Sequence, residues 1–238
     1  MKNKRSVLKN LLIGVFGACL LAVSGWLTGA LGDGNVKNGL IMKNWAKMPA
    51  WRFELSMILA AVGSMALSVG MTSMSYIIKL IRRRKVLFDS KVSTVFSFGA
   101  LTTSVASFFI VVIYNILPLL YKSLYESTLM EADLIDVVEG IFYYVAIPFY
   151  FFFAISIIAV SFGFIYFILE GRMKVNKVYI LLNPLAFLGI GKLLKYVSIY
   201  HVADFSAGMI GLGYAMMLFG TLSFAVKIPG KKRAVTRR

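Results

Sequence analysis

The sequence predicts an all-α membrane protein, a bundle of six transmembrane helices with both termini in the cytoplasm. Of its 238 residues, 59% are apolar and 15% are charged, whereas soluble domains are about 45–50% apolar and about 25% charged. Six apolar stretches are long enough to cross a bilayer, which takes about 20 helical residues. The formal charge of +16 falls in alternate connecting segments. This composition excludes a soluble enzyme, a disordered tail and a disulfide scaffold.

The six stretches form one predicted membrane domain over residues 1–238. The spans are Leu11–Leu31, Phe53–Ile81, Thr94–Tyr121, Gly140–Leu169, Tyr179–Tyr200 and Phe205–Val226. The first span is longer than the roughly 7–15 residues of a cleaved signal core, so we expect a mature helix. The fifth is the weakest, because it carries Pro184 and two lysines. A five-span alternative therefore stays open at this point.

The distribution of charge predicts the orientation. With the N-terminus inside, the internal segments hold 19 basic and two acidic residues, a net charge of +17. The external segments hold seven basic and eight acidic residues, a net charge of −1. Cytoplasmic loops retain Lys and Arg, so both termini are predicted inside, with residues 227–238 as a basic cytoplasmic tail. Basic runs next to spans indicate contact with anionic membrane lipids, and no nucleic-acid partner is predicted.

Small residues recur at close spacing in three of the spans and indicate tight helix contacts. They are Gly14, Ala18 and Ala22 in the first span, Ala60, Ser64 and Ser68 in the second, and Gly208, Gly211 and Gly213 in the sixth. Such residues let helix backbones approach closely in lipid. Two interpretations are open, packing within the bundle and docking to a partner membrane protein.

Polar and aromatic residues collect at the external ends of the predicted spans. Buried ionisable groups are costly in lipid and usually face the bundle interior or a cavity. The sequence therefore predicts a ligand-binding pocket in the external half of the bundle. The predicted pocket residues are Trp26, Glu54, Asn115, Tyr144, His201 and Asp204. The alternative is that these side chains contact water at the level of the lipid headgroups.

No established catalytic constellation is present in the sequence. The chain has one histidine and one cysteine, which excludes metal motifs with two histidines and an intrachain disulfide. It contains neither a G-x-S-x-G nor a Walker phosphate loop. We predict no catalytic residue, no metal site and no cofactor. A carboxylate pair of Glu54 and Asp204 would suit acid–base chemistry, which keeps a membrane-embedded lipid hydrolase as an alternative.

The loop between the first two spans mixes turn residues with apolar ones. Its apolar residues are Leu40, Ile41, Trp45 and Met48. They predict either a short amphipathic helix lying on the bilayer or a lid over an external pocket. The acidic residues of the loop before the fourth span are interpreted as a solvated external loop.

Three short motifs carry a resemblance to a known family. They are Gly32-Asp33, Met48-Pro-Ala-Trp-Arg52 and Leu182-Asn-Pro-Leu185. With the order of the spans, they resemble an uncharacterised bacterial family of six-span integral membrane proteins, a domain of unknown function. The resemblance implies a six-helix bundle in a bacterial plasma membrane and no particular reaction.

The leading functional prediction is not enzymatic. It is the binding or passage of a small or lipid-like molecule through a pocket open to the external side, as in transport. A second hypothesis is an accessory, immunity or transporter-subunit protein that docks through its small-residue faces. The third is the lipid hydrolase. The composition and the spans do not choose among these three.

Overall fold

The computed structural model describes residues 4–29, 35–36, 41–82, 86–127, 131–194 and 205–228, and these residues are almost entirely helical. The α-helices are α1 (Lys4–Thr28), α2 (Ala50–Ile81), α3 (Leu87–Tyr125), α4 (Glu131–Ile141), α5 (Ile147–Leu169), α6 (Pro184–Leu194) and α7 (Met209–Lys227). Strands β1 (Asn35–Val36) and β2 (Ile41–Met42) pair antiparallel, with Asn35 opposite Met42. Short 3₁₀ turns cover Lys43–Ala46, Lys177–Ile180 and Phe205–Gly208.

Among the described residues, five helical segments are long and apolar enough to cross a membrane. They are Lys4–Thr28, Ala50–Ile81, Leu87–Tyr125, Asp133–Leu169 and Ser206–Lys227. Each overlaps a predicted span, so the predicted first, second, third, fourth and sixth spans are confirmed as membrane-length helices. A further apolar helix, Pro184–Leu194, is shorter. The fold is that of an apolar helical bundle, as expected of a membrane protein.

The small residues of the first two spans bring α1 and α2 into backbone contact. A Cβ added at Gly70 would lie 2.5 Å from the Cα of Gly14, and one added at Gly17 would lie 2.5 Å from the carbonyl oxygen of Gly63. Ala18 is fully buried in the same core. The small residues at these contacts therefore serve packing within the chain, and docking to a partner membrane protein stays a prediction.

The start of α1 and the end of α7 lie at the same end of the bundle. The Nζ of Lys4 donates to the carbonyl oxygen of Ile228 over 2.8 Å. At the opposite end, Gly25 packs against Ala207 and Gly208. We call the end where α1 finishes and α7 begins the outer end, and the end with Lys4 and Ile228 the basic end. Between the end of α1 and the start of α7, the chain therefore passes from one end of the bundle to the other an even number of times.

The segment predicted as the fifth span is broken. Tyr179 packs on Gly220, Pro184 on Gly213, and Gly191 on Ser206. The segment from Lys177 to Leu194 therefore runs antiparallel to α7 from the basic half of the bundle toward the outer end. It makes this crossing as a 3₁₀ turn, a bend and an 11-residue helix. The described part of the chain thus has five long apolar helices and this shorter, broken segment.

The break has a local cause in the Asn-Pro pair. The Oδ1 of Asn183 accepts from the backbone N–H groups of Leu185 and Ala186 over 3.0 and 3.3 Å. Pro184 takes the first position of α6, where a missing N–H costs nothing. A capped helix start with proline cannot continue a helix from the preceding residues. The prediction of one helix from Tyr179 to Tyr200 is therefore wrong at its start, and residues 195–200 lie outside the described part.

Pro148 changes the helix between α4 and α5. The backbone N–H of Ile147 donates to Phe142 five residues back, so Phe142–Ala146 form a wider π-helical turn. Pro148 has no N–H to give to the carbonyl of Tyr144, and its ring would clash with that carbonyl in a regular helix. The wider turn avoids this clash. Pro118, in contrast, lies within the continuous α3.

A second small core covers the outer end of α3. Its buried members are Trp45, Met48, Phe53, Leu117, Tyr121, Leu134 and Val138. The Nζ of Lys122 donates to the carbonyl oxygen of Ala46 over 3.0 Å and ties the loop to α3. Trp45 and Met48 thus pack on protein, so the interpretation of a helix lying on the bilayer is wrong for them. Leu40 lies outside the described residues, as does the side chain of Ile41. The acidic segment before the fourth predicted span, interpreted above as a solvated loop, instead contains helix α4 (Glu131–Ile141).

Candidate functional site

A half-open cavity of about 80 Å³ lies between α1, α3, α5 and α7, in the half of the bundle nearer the outer end. It is lined by Leu21, Gly25, Ser107, Ile110, Val111, Phe153, Ala207, Ile210, Gly211 and Tyr214. A water needs about 10–15 Å³ by this kind of measure, so the space holds several waters or a small organic group. The cavity exists because α1 and α7 pack closely through glycines, while α3 packs on α2 and α5 instead.

Two residues that line the cavity, Ser107 and Tyr214, carry buried hydroxyl groups, and a third buried hydroxyl, that of Thr103, lies next to Tyr214. The hydroxyl of Tyr214 faces those of Thr103 and Ser107. The three side chains are at most 5% exposed, and the contacts of the Tyr214 hydroxyl with Thr103 and Ser107 fall outside good hydrogen-bonding geometry, so the three groups are bonded to one another only weakly. A buried hydroxyl without a partner is rare in native structures, because it loses its hydrogen bonds to water. We call Thr103, Ser107 and Tyr214 the hydroxyl cluster.

The hydroxyl cluster forms the deeper end of the cavity. Along α3, Ser107 precedes Ile110 and Val111 by one turn on the way to the outer end. Along α7, which runs inward, Tyr214 follows Ile210 by one turn. The polar groups therefore lie toward the middle of the bundle, and the apolar wall lies between them and the outer end. This arrangement gives the cavity one polar and one apolar end.

A hydrogen-bonded network borders the cavity and joins three helices. The Oγ atoms of Ser24 in α1 and Ser56 in α2 are 2.9 Å apart. The Nδ2 of Asn115 in α3 donates to the Oγ of Ser56 over 3.1 Å and to the carbonyl oxygen of Val111 over 2.7 Å. All three polar side chains are fully buried. Because Val111 lines the cavity, the network fixes one of its walls.

The predicted pocket residues have different positions in the structure. Asn115 is fully buried in the network described above. Glu54 is exposed, the side chain of Tyr144 is 86% exposed, and that of Trp26 is 41% exposed. His201 and Asp204 lie outside the described residues. The structure brings Asn115 next to the cavity, and the convergence of all six residues stays a prediction.

Sequence reasoning missed the hydroxyl cluster. Thr103 and Ser107 are four residues apart in an apolar span and share a helix face, which is a usable signal. Tyr214 was passed over as one more aromatic residue of a span. Hydroxyl side chains lower the hydropathy of a span only slightly, and the predicted pocket was based on polar and aromatic residues near the external ends of the spans. Within the part of the chain that the structure describes, no group of three or more His, Cys, Asp or Glu residues is placed to hold a metal ion.

Comparison with known proteins assigns the chain to a family. A family model described as "Family of unknown function (DUF6796)" matches residues 1–227. The chain belongs to this family. The match confirms the resemblance based on three short motifs, and it includes every described helix and the whole cavity. No curated protein and no solved structure matches the chain. Membership of DUF6796 brings no reaction with it, so a functional proposal has to come from the site.

Proposed function

We propose that the protein binds a small or lipid-like molecule in the cavity between α1, α3, α5 and α7. The observation that carries this proposal is the hydroxyl cluster, three adjacent buried hydroxyl groups that contact only one another, two of which, Ser107 and Tyr214, line one end of an otherwise apolar cavity. A pocket with apolar walls and a few convergent polar groups is the usual composition of a small-molecule site. Passage of the ligand across the membrane, as in transport, would extend this proposal.

The energetic argument rests on desolvation. Leaving a buried polar group without a partner costs about 1–3 kcal/mol, judged from protein mutations. Because Tyr214 already interacts with Thr103 and Ser107, the penalty for the cluster is smaller than that for three isolated groups. A molecule from outside the chain that hydrogen-bonds these groups recovers part of this energy. The weakly bonded hydroxyl groups of the empty site therefore favour the binding of such a molecule.

The walls favour a ligand over water alone. Five large apolar side chains line the cavity: Leu21, Ile110, Val111, Phe153 and Ile210. Water confined there finds hydrogen-bonding partners only at the hydroxyl cluster, and it needs two to four such partners to be held. A molecule with an apolar part covers these walls and also reaches the hydroxyl groups.

We test the proposal by native mass spectrometry of the protein released from its own membranes in mild detergent. The wild type is expected to carry a bound molecule. Ile210→Trp, which fills the cavity, should release it, and Ile110→Phe should do the same from another helix. Phe219→Trp, a lipid-facing position of α7 that is 48% exposed, is the matched control and should retain it. An empty wild type, or a molecule retained by both filled variants, would refute the proposal.

We further propose that the basic end faces the cytoplasm of a bacterial cell, with the plasma membrane around the bundle. Basic side chains near that end of the described helices include Lys4, Arg5, Lys79, Arg82, Arg172 and Lys227. Cytoplasmic retention of such residues is the general rule.

Cysteine labelling of intact cells tests the orientation. The sole cysteine, Cys19, is first replaced by serine, and one cysteine is then introduced at Ser127 or at Glu170. Both positions are exposed, at opposite ends of the bundle. A membrane-impermeant maleimide should label Ser127→Cys in intact cells and Glu170→Cys only after permeabilisation. The reverse pattern would overturn the assigned orientation.

A further inference from the structure

We infer that the ligand is an uncharged molecule with a hydroxyl or carbonyl group on an apolar body, and that the hydroxyl cluster receives this group. The inference rests on the proposed function and narrows it to one chemical class. Four features support it: the charge of the lining, the chemistry of the three hydroxyls, their depth, and the seam beside the cavity.

The first feature is that the described part of the lining carries no charge, while His201 and Asp204, which precede Ala207 in the chain, lie outside the described residues. None of the ten residues around the cavity is acidic, basic or histidine. An ion transferred into such surroundings loses its hydration and gains no counter-charge, which is far more costly than burying a neutral polar group. Carboxylates, phosphates and ammonium groups are therefore disfavoured, and this excludes the charged headgroups of common phospholipids.

The second feature is the chemistry of the cluster. A hydroxyl group donates one hydrogen bond and accepts two, so Thr103, Ser107 and Tyr214 can serve a donor or an acceptor equally. A ligand hydroxyl can donate to one of them and accept from the others. A ligand carbonyl can accept from two. An alkane can use none of the three groups, so the cluster should distinguish a polar end from a purely apolar molecule.

The third feature is depth. The hydroxyl cluster lies a turn deeper in the bundle than the apolar wall of Ile110 and Ile210. A bound molecule therefore places its polar group toward the middle of the membrane and its apolar body toward the outer end. A charged lipid in the bilayer has the opposite orientation, with its headgroup at the surface. A neutral molecule that dissolves in the bilayer interior can adopt the orientation that the cavity requires.

The fourth feature is the boundary between α5 and α7 next to the cavity, which we call the seam. Close packing joins α7 to α1 and α6, and joins α3 to α2 and α5. Helix α5 meets α6 near its middle, where the Oγ of Ser161 accepts from the backbone N–H of Leu185 over 3.2 Å. Closer to the outer end, Phe153 of α5 and Ile210 of α7 border the cavity from its two sides. A ligand from the bilayer can enter between these helices, with any longer apolar part left in the seam.

The test uses three photoreactive probes of equal length on the full chain in phosphatidylcholine nanodiscs. Each probe is an eight-carbon alkyl diazirine that ends in a hydroxyl group, a methyl group or a carboxylate. Mass spectrometry quantifies labelling of the cavity peptides that contain Ile110, Phe153 and Ile210. It is compared with labelling at Ile58, a lipid-exposed reference in α2. The alcohol should label the cavity about tenfold more than the alkane, the effect of roughly one to two net hydrogen bonds.

The matched variants change only hydroxyl groups. Thr103→Val, Ser107→Ala and Tyr214→Phe, combined, should reduce labelling by the alcohol to the level of the alkane and leave labelling by the alkane unchanged. Because the three hydroxyl groups contact only one another and are replaced together by apolar groups of similar shape, the ligand-free triple variant should melt at a temperature no lower than the wild type, which shows that it is folded. Ser97→Ala is the control, since that hydroxyl donates to Ser93 within its own helix. It should leave labelling by the alcohol intact.

The outcomes separate this inference from the proposed function. Equal cavity labelling by alcohol and alkane, or stronger labelling by the carboxylate, overturns the uncharged polar ligand while the cavity remains a binding site. Labelling by the alcohol that survives in the triple variant overturns the role of the hydroxyl cluster. If all three probes label the cavity no more than Ile58, the proposed function itself fails.

Discussion

Replacement of Gly70 by alanine should loosen the contact between α1 and α2. The added Cβ would lie 2.5 Å from the Cα of Gly14 and 3.3 Å from the methyl carbon Cδ1 of Leu218. Carbon atoms prefer a separation of about 3.5–4.0 Å, so the two backbones must move apart locally by about 1 Å. Overpacking of this kind costs about 1–3 kcal/mol. Helix propensity offsets little of this cost, because an isolated span in lipid is already helical.

The assay is thermal unfolding of the purified protein in one detergent. It is measured as the loss of the native peak in size-exclusion chromatography after heating. A change of 1 kcal/mol shifts the melting temperature of a chain of this size by about 2–4 °C, so Gly70→Ala should lower it by roughly 2–12 °C. Gly189→Ala is the matched control, because a Cβ there meets nothing within 4 Å. It should leave the melting temperature almost unchanged.

The double variant Gly14→Ala/Gly70→Ala sharpens this prediction. Once the first Cβ has separated the helices, the second enters space that is already open, so the combined loss should be smaller than the sum of the single losses. Residues in contact commonly show such coupling, of about 0.5–3 kcal/mol. If Gly70→Ala melts like Gly189→Ala, or if the two losses simply add, the backbone contact is not as close as described.

Three further substitutions test other parts of the structure by the same melting assay. Asp89→Ala should cost about 3–5 kcal/mol of stability. Asp89 is buried, accepts a hydrogen bond from the hydroxyl of Tyr166 over 2.6 Å and lies 3.9 Å from the Nε of Arg172. The control Glu170→Ala removes an exposed partner of the same arginine and should cost less than about 1 kcal/mol. Trp45→Ala should cost about 3–5 kcal/mol by emptying the small outer core, whereas Trp51→Ala, at a side chain that is 56% exposed, should change stability by no more than about 0.5 kcal/mol. Asn115→Ala should cost about 0.6–2 kcal/mol through the hydrogen bonds between helices, and Thr72→Ala, whose exposed hydroxyl bonds within its own helix, should cost less. If the two variants of a pair lower the melting temperature equally, the difference in burial between their two positions is not as described.

Much of the fold could be predicted because it depends on local properties. Apolar stretches such as Phe53–Ile81 exceed the thickness of a bilayer wherever they lie in the chain. Small residues such as Gly14 and Gly70 indicated close contacts, and the structure shows that these contacts lie within one molecule. The fifth span was harder, because its hydropathy describes a continuous helix while its capping chemistry at Asn183 and Pro184 describes a break. The hydrogen bonds that Asn183 accepts at the start of α6 stabilise the break.

The candidate site was less predictable. Asn115 was identified because an amide within an apolar span is conspicuous, and the structure does bury it beside the cavity. Glu54 and Tyr144 were chosen by the same reasoning, yet their side chains are exposed. A position near the end of a span does not reveal which way the side chain points. That direction depends on how the helix is rotated against its neighbours.

The sequence by itself determined that this chain is an apolar helical membrane protein, and its motifs indicated the family to which it belongs. These properties are sums over residues or short patterns, so they survive any arrangement of the helices. Only the tertiary structure decided that the small residues pack inward, that the fifth span is broken, and that Thr103, Ser107 and Tyr214 meet. The physical reason is that a hydrogen bond or a cavity depends on distances of a few ångströms between spans, and the composition of each span leaves those distances open.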